Sequence, residues 1–245
     1  MSSSTKKAFQ ILEMIAQDQG KMKLIDISKQ LKLNKTTALR YIQTLEELDL
    51  IIKTDNYYSL GYKMLWFGYQ ARNNHLFLSR ITPILREYVQ ETNETINIAQ
   101  YINNRLVYIQ RVESGRNLQL KAQPGMILPF HCTSLGKAVL SILPKEEQND
   151  LIYNKELTQY TEKTITQAKD LEKEIIKTEK QGFSIEMEEF EEGLACGAIP
   201  LNLTKINFIG ALSFSGYVNR LSEETITTLL KNIKIKLKSI EDIFS

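Results

Sequence analysis

The chain has 245 residues, 42% of them hydrophobic and 24% charged, with 11 Gly and 5 Pro, which suits one or two ordinary cores and excludes a low-complexity polymer. Its 31 basic and 29 acidic residues leave a net charge of +2, which by itself indicates neither a nucleic-acid nor an acidic partner. Two cysteines 64 positions apart, Cys132 and Cys196, exclude a C-x-x-C pair and a secreted disulfide framework. No apolar run approaches the roughly 18 residues of a membrane span, and the lysine-bearing N-terminus is interrupted by Glu13 rather than built as a signal peptide. A soluble, cytoplasmic protein with no membrane partner is expected.

The average charge hides a polarity. From Ile27 to Leu45 there are four basic residues (Lys29, Lys32, Lys35, Arg40) and no acid, whereas Ser141 to Glu192 holds fourteen acids against seven lysines, ending in Glu186, Glu188, Glu189, Glu191 and Glu192. A DNA-contacting module joined to a non-contacting one gives this pattern, and so does a solvated lysine-rich helix face beside an unrelated acidic domain.

Ala8, Ile11, Leu12 and Ile15 repeat at helical spacing behind a Ser/Thr cluster, predicting an amphipathic helix that ends near Gly20. Ile27, Leu31 and Leu33 behind Asp26 form a second, shorter pattern. Asn34 is a good N-cap for a third helix from Lys35 to about Asp49, with Ala38, Ile42 and Leu45 as its apolar stripe. At 100° per residue Thr36, Arg40 and Gln43 lie opposite Ala38. Arg can read guanine, Gln can read adenine, and Thr or Lys can hold phosphate, so this face suits a major groove. Lys35, Thr36, Thr37, Arg40, Tyr41 and Gln43 are the candidate DNA-contacting residues of the helix. Leu50–Lys53, a turn at Thr54–Asn56 and Tyr57–Leu60 predict a hairpin with Lys53 and Tyr57 near its tip. The order is that of a winged helix-turn-helix over residues 1–61. Its alternative role is a protein-binding module attached to a sensory domain.

Leu60, Met64, Phe67 and Ala71 share a face, flanked by Leu65, Trp66 and Tyr69, predicting a linker helix over 62–78 that needs a partner. Pairing with its copy in a second subunit would meet that need and set two recognition helices on two half-sites; packing on its own domain is the alternative.

The remainder, 79–245, opens with a helix marked by Ile81, Ile84, Leu85 and Tyr88. A hairpin follows, Thr95–Ile102 and Arg105–Val112 around Asn103-Asn104, then a strand at Leu118–Ala122. Next come an extended stretch broken by Pro124-Gly125 and Pro129, a helix capped by Thr133 or Ser134 and stopped at Pro144, and helices near Lys145–Tyr153 and Gln167–Gln181, the latter closed by Gly182. Strands are expected at Phe183–Glu188, Ala195–Leu201 and Phe208–Gly216. Ser222 should cap a last helix with the stripe Ile226, Leu229, Ile233, Leu237 and Ile240. The class is α+β with a mainly antiparallel sheet in the second domain.

LKLNKTTALRYIQTLEELDLI, PGMILPFHCTSLGKAVLS, QGFSIEMEEFEEGLACGAIPL and ALSFSGYVNRLS together resemble the IclR family of bacterial transcriptional regulators over essentially the whole chain. The resemblance implies a winged helix-turn-helix, a linker helix and a GAF-like effector domain, assembled as a homodimer or dimer of dimers on a palindromic double-stranded operator. The implied function is a ligand-responsive regulator, a repressor rather than an activator, sensing a small organic acid or related metabolite. Carried onto this chain, the effector positions are Ser134, Leu135, Glu186, Cys196, Ser213 and Ser215. Unpaired N–H groups after Thr133 suit a carboxylate, Ser213 and Ser215 point to one strand face, and Met126, Ile127 and Leu194 supply an apolar wall. Glu186 stands where family members can carry a shorter acid. It either reshapes the pocket or faces solvent with its acidic neighbours.

Cys196 with His131 as base, or Cys132, His131, Cys196 and a glutamate around zinc, are the enzymatic and metal alternatives. Neither His75 nor His131 has a recognised ligand spacing, and no G-x-S-x-G, Walker loop or H-E-x-x-H occurs. No catalytic activity, cofactor or metal is expected.

Overall fold

The structure, a computed structural model, describes residues 3–18, 20–73, 76–116, 120 and 122–244. The chain divides into two compact units, Met1–Leu76 and Phe77–Ser245. Among the described residues no helix is long and apolar enough to cross a membrane.

In the first unit α1 (Ser3–Gln17), α2 (Leu24–Gln30) and α3 (Lys35–Glu47) pack around Ile11, Leu12, Ile15, Ile27, Ala38, Ile42 and Leu45. Strands β1 (Ile51–Thr54) and β2 (Tyr57–Leu60) form a hairpin in which Thr54 faces Tyr57. Asp55 in the two-residue turn has φ +54°, the left-handed backbone that tight hairpin turns require. The hairpin is tied to the segment before α2 by a bridge between Met22 and Tyr58, so its base is part of the helical core. α4 (Lys63–Asn73) ends the unit.

The second helix differs from its expected pattern. It begins at Leu24, so Asp26 sits in its first turn and accepts from Lys23 N at 3.2 Å. It ends before Leu31 and Leu33, because the chain reverses at Lys32 (φ +51°) and Leu33 N donates to Ser28 O at 2.9 Å. The two leucines still pack half-buried against the trihelical core, through the turn rather than through a helix face.

The second unit opens with α5 (Leu76–Thr92) and is built on a six-stranded, wholly antiparallel sheet. The strands are β3 (Thr95–Ile102), β4 (Arg105–Val112), β5 (Ile127–Leu128), β6 (Ser184–Met187), β7 (Leu194–Leu203) and β8 (Phe208–Tyr217), in the order β5-β4-β3-β8-β7-β6. Both sheet faces are buried. On one, Ile96, Ile98, Ile199, Leu212 and Phe214 pack with α5 and with α9 (Glu223–Phe244), which carries Ile226, Leu230, Ile233 and Leu237. On the other, Ala99, Tyr108, Ala198 and Ala211 pack with α6 (Ser134–Leu140), α7 (Lys145–Tyr153) and α8 (Ala168–Gln181). The small side chains of β7 and β8 admit these helices closely. At Gly197 an added Cβ would lie 2.1 Å from Ile226.

Local chemistry sets the element ends. Asn103 and Asn104, both left-handed (φ +49° and +58°), turn β3 into β4. Thr133, not Ser134, caps α6, its Oγ1 accepting from Gly136 N at 3.0 Å, and α6 stops at Leu140, short of Pro144. Gly182 closes α8 at φ +76°, and Ser222 Oγ accepts from Thr225 N at the start of α9. The side chain of Ile240 lies outside the described residues, as do His75 and residues 118, 119 and 121 of the strand expected at Leu118–Ala122. Leu120 and Ala122 carry no strand.

Candidate functional site

Two surfaces carry the chemistry, one in each unit. In the first, Asn34 Oδ1 accepts from Thr37 N at 2.7 Å and starts α3, whose first turn holds no acid. Ala38 and Ile42 are fully buried, which turns Thr36, Arg40 and Gln43 outward, with Lys35 exposed beside them. Thr37 and Tyr41 are half-buried, and Tyr41 packs against the helical core. On the hairpin Lys53 and Tyr57 are exposed. The Tyr57 ring also carries Lys23, whose Nζ lies 4.8 Å from its centroid, a cation–π contact that sequence reading missed. It links the start of α2 to the hairpin.

In the second unit the α6 face of the sheet holds a small cavity of about 50 Å³ that opens to solvent through a wider mouth. Strand register assembles it. Glu186 on β6 stands opposite Cys196 on β7, and Cys196 opposite Ser215 on β8. One row along, Ser213 stands opposite Asn97 on β3. Ser134, Leu135, Glu186, Leu194, Cys196, Ser213 and Ser215 therefore line one cavity. Met126 does not. It is 49% exposed, with its sulfur accepting from Gln123 N, and Ile127 is exposed as well.

Sequence reading missed Asn97, Tyr108, Leu128, Thr133, Phe190 and Glu191. Asn97 had a signal, a polar residue amid the alternating apolar side chains of β3. It organises the wall. Arg111 Nε donates to Tyr108 Oη at 3.1 Å, Tyr108 Oη donates to Asn97 Oδ1, and Asn97 Nδ2 donates to Ser215 Oγ at 2.8 Å and Ser213 Oγ at 3.2 Å. Burial pushes the Tyr108 phenol up to about 12, so it stays protonated.

Glu186 is 1% exposed rather than facing solvent. Its Oε1 accepts from Glu189 N at 2.6 Å and Phe190 N at 3.3 Å. Burial, aided by the Glu189 charge, pushes its carboxyl up to about 7 against those two bonds. Nearby, the buried Lys137 Nζ donates to Glu189 Oε1 at 2.5 Å and Ile185 O at 3.1 Å.

Burial also raises both thiols, and the Glu186 charge adds to this at each. Cys196 Sγ sits 3.2 Å from Ser215 Oγ, and His131 Nε2 contacts Thr158 O at 2.9 Å while burial lowers the ring's basicity. Protonated thiols and a deprotonated, backbone-held imidazole are the chemistry of packed side chains, not of an activated nucleophile. Among the described residues no cluster of three His, Cys, Asp or Glu is arranged to hold a metal.

A helix-turn-helix with a hairpin wing and an outward-facing cationic helix, joined to a domain that encloses a small-molecule cavity, defines the class of DNA-binding transcriptional regulators with a ligand-binding domain. The IclR helix-turn-helix domain matches residues 4–54 and the bacterial transcriptional regulator IclR C-terminal domain matches residues 70–241. The chain belongs to the IclR family. It is 27% identical over 230 residues to the acetate operon repressor of Salmonella typhimurium, covering 92% of this chain and 84% of that protein. The crystal structure of the Thermotoga maritima IclR is 26% identical, with TM-score 0.77 over 100% of this chain and 99% of that one. An IclR homolog complexed with 4-hydroxybenzoate from Microbacterium hydrocarbonoxydans shares the fold at TM-score 0.77 and 20% identity, covering 97% of this chain and 98% of its own.

Proposed function

We propose that this regulator is a repressor that grips a palindromic operator as a homodimer or dimer of dimers and changes its grip when a small metabolite fills the cavity of residues 77–245. The observation that carries the DNA half is the outward row of Lys35, Thr36, Arg40 and Gln43 on α3, backed by buried Ala38, Ile42 and Leu45. Lys53 and Tyr57 extend it to the wing, with Thr37 and Tyr41 at its edge. α4 supports the dimer, since Leu65, Trp66, Phe67 and Tyr69 are 45–70% exposed, more contiguous apolar surface than one helix leaves in water without a partner. The domain division 1–61, 62–78 and 79–245 assigns α4 to that pairing role. The ligand acts through its differential affinity for two arrangements of the paired DNA-binding domains, and by no more than that difference. DNA binding in the cytoplasm and the lack of catalysis follow from this reading.

Arg40→Ala should weaken operator binding by about 10- to 100-fold, the equivalent of one lost base or phosphate contact of roughly 1–3 kcal/mol, with unchanged melting temperature. A mobility-shift titration in which the variant binds as tightly as the parent refutes the assignment of α3. Affinity for the duplex should fall steeply with salt, because phosphate contacts release counterions.

A further inference from the structure

Lys23 does not serve the helix that it opens. It stands at the N-cap of α2 with an extended backbone (φ −108°, ψ 160°), where Ser, Thr, Asp or Asn would accept from the first free N–H groups. An ammonium only donates, so that cap is forgone. Lys23 N donates to Asp26 Oδ2 at 3.2 Å, and the side chain crosses to the hairpin, where its Nζ lies 4.8 Å from the centroid of the exposed Tyr57 ring. Among the described residues no carboxylate forms an ion pair with this ammonium.

Backbone pairing, not the reach of a long side chain, sets this contact. Met22 is 5% exposed and bridges Tyr58, whose N donates to Met22 O at 2.9 Å. Gly20, at φ +81°, brings the chain so close to the hairpin that an added Cβ would lie 3.3 Å from Ser59 Cβ. Residues 20–22 are thus held along β2. Tyr58 is buried, so its neighbour Tyr57 projects from the other face of the strand, and Lys23, next after Met22, meets it there. A carboxylate in that place would have cancelled the charge. An aromatic face instead holds the cation and restricts its long stem, while leaving its N–H donors and its charge available to an anion.

On the reading that the first unit binds duplex DNA, we propose that Lys23 contacts a phosphate of the duplex and that the Tyr57 ring positions it. With α3 in the major groove, α2 crosses the sugar–phosphate backbone, so a cation at the junction of α2 with the hairpin meets phosphate rather than base edges. The end of α2 is not itself the anion site, since Asp26 stands in its first turn. Lys23 therefore adds affinity that does not depend on base sequence, from a place outside the recognition helix.

The test uses the full chain and a random-sequence duplex of roughly 24 base pairs, because a phosphate contact is indifferent to sequence. Fluorescence anisotropy at about 50 to 200 mM salt gives the affinity and its salt slope. For each bound protomer, Lys23→Gln should lower the slope by about 0.9 and the affinity at about 0.1 M salt by about eightfold, the counterion release of one phosphate contact. Lys23→Arg should retain both. Tyr57→Phe should bind like the parent, whereas Tyr57→Leu should weaken binding about threefold, the weight of an exposed cation–π contact. In the Lys23→Gln background the Tyr57→Leu loss should vanish, since the ring acts through the ammonium. Lys205→Gln, which removes an exposed lysine of the second unit, should leave the slope unchanged. A slope for Lys23→Gln equal to the parent's overturns the contact, and so does an equal drop in Lys205→Gln, which would mean that net charge alone is read. Equal Tyr57→Leu losses in both backgrounds overturn the positioning role. A parent that binds the duplex steeply with salt while Lys23→Gln changes nothing sinks Lys23 alone, and a parent that ignores the duplex sinks the DNA reading and this contact with it.

Discussion

Glu186 offers the sharpest check on the cavity's electrostatics, because a buried carboxyl whose acidity is weakened leaves a trace in stability against pH. In the folded protein its ionisation is pushed from the ordinary 4.5 to about 7. Between those values the folded state holds a proton that the unfolded chain has released, so stability falls as pH rises through this window. The group's contribution is fully present below about pH 4.5 and lost above about pH 7. At roughly 1.4 kcal/mol per unit, the loss is about 3 kcal/mol in all and about 2–3 kcal/mol between pH 5 and pH 8. Glu186→Gln keeps an oxygen to accept from Glu189 N and Phe190 N and removes the titration. The variant should therefore gain on the parent by that amount from pH 5 to pH 8. Urea denaturation followed by far-UV circular dichroism reads it, since most of the signal comes from the larger second unit. The fluorescence of the chain's single tryptophan, Trp66 on α4, reports the first unit and should not move. A difference between variant and parent that is flat with pH would show that Glu186 ionises as in water, and the buried-acid reasoning would fail.

Other parts of the same architecture respond in their own ways. Lys137→Met should destabilise the second unit by about 3–5 kcal/mol by stranding the buried Glu189 charge, and adding Glu189→Leu should recover most of it in the same urea series. A Lys137→Met loss that the second change leaves intact would mean packing, not charge, is at stake. Gly136→Ala should cost about 1–3 kcal/mol as an overpacking change, because its Cβ would lie 2.4 Å from Phe130 O in the rigid turn before α6. A melting temperature equal to the parent's refutes this. Asn34→Ala should lower the stability of the first unit by about 1 kcal/mol through loss of the α3 cap, measured as thermal unfolding of the full chain by helix signal and tryptophan fluorescence. An unchanged transition would mean that Thr37 N finds another acceptor.

Elements governed by neighbours in sequence were legible, and contacts governed by strand register were not. Asn103-Asn104 announced the β3–β4 hairpin because few residues accept the left-handed backbone such a turn needs, and both ends of β3 and β4 fall where the pattern put them. The α3 stripe, the Thr133 cap and Gly182 follow the same logic. Leu31 and Leu33 misled because half-buried leucines after a helix look periodic with it until a reversal at Lys32 intervenes. The cavity wall was half visible. Ser213 and Ser215 share a face by simple alternation, but Asn97 and Tyr108 meet only because the β3–β4 pairing slips between Ile98 and Ala99. A slip of that kind changes which β4 side chains share a face with β3, and nothing in the residues of β4 marks it.

The acidic cluster shows why charge counted along a chain differs from charge presented in space. Glu186 to Glu192 form one acidic run along the sequence, yet the chain turns through a left-handed Glu188 (φ +63°) and Gly193 to join β6 to β7, sending its members in different directions. Glu186 goes to the cavity floor, Glu189 pairs with Lys137 in the interior, and Glu188 pairs with Lys163 and accepts from Gly193 N. Much of the run is thus neutralised or buried, and its outward field is weaker than five carboxylates would give. The basic α3 face is the opposite case. Lys35 and Arg40 are exposed on a helix whose first turn has no acid, so little offsets their charge. The polarity that matters for DNA therefore comes from uncompensated cations on one helix rather than from excess acid elsewhere. Glu186, the most deeply buried acid of the run, faces the cavity instead of adding to that outward field.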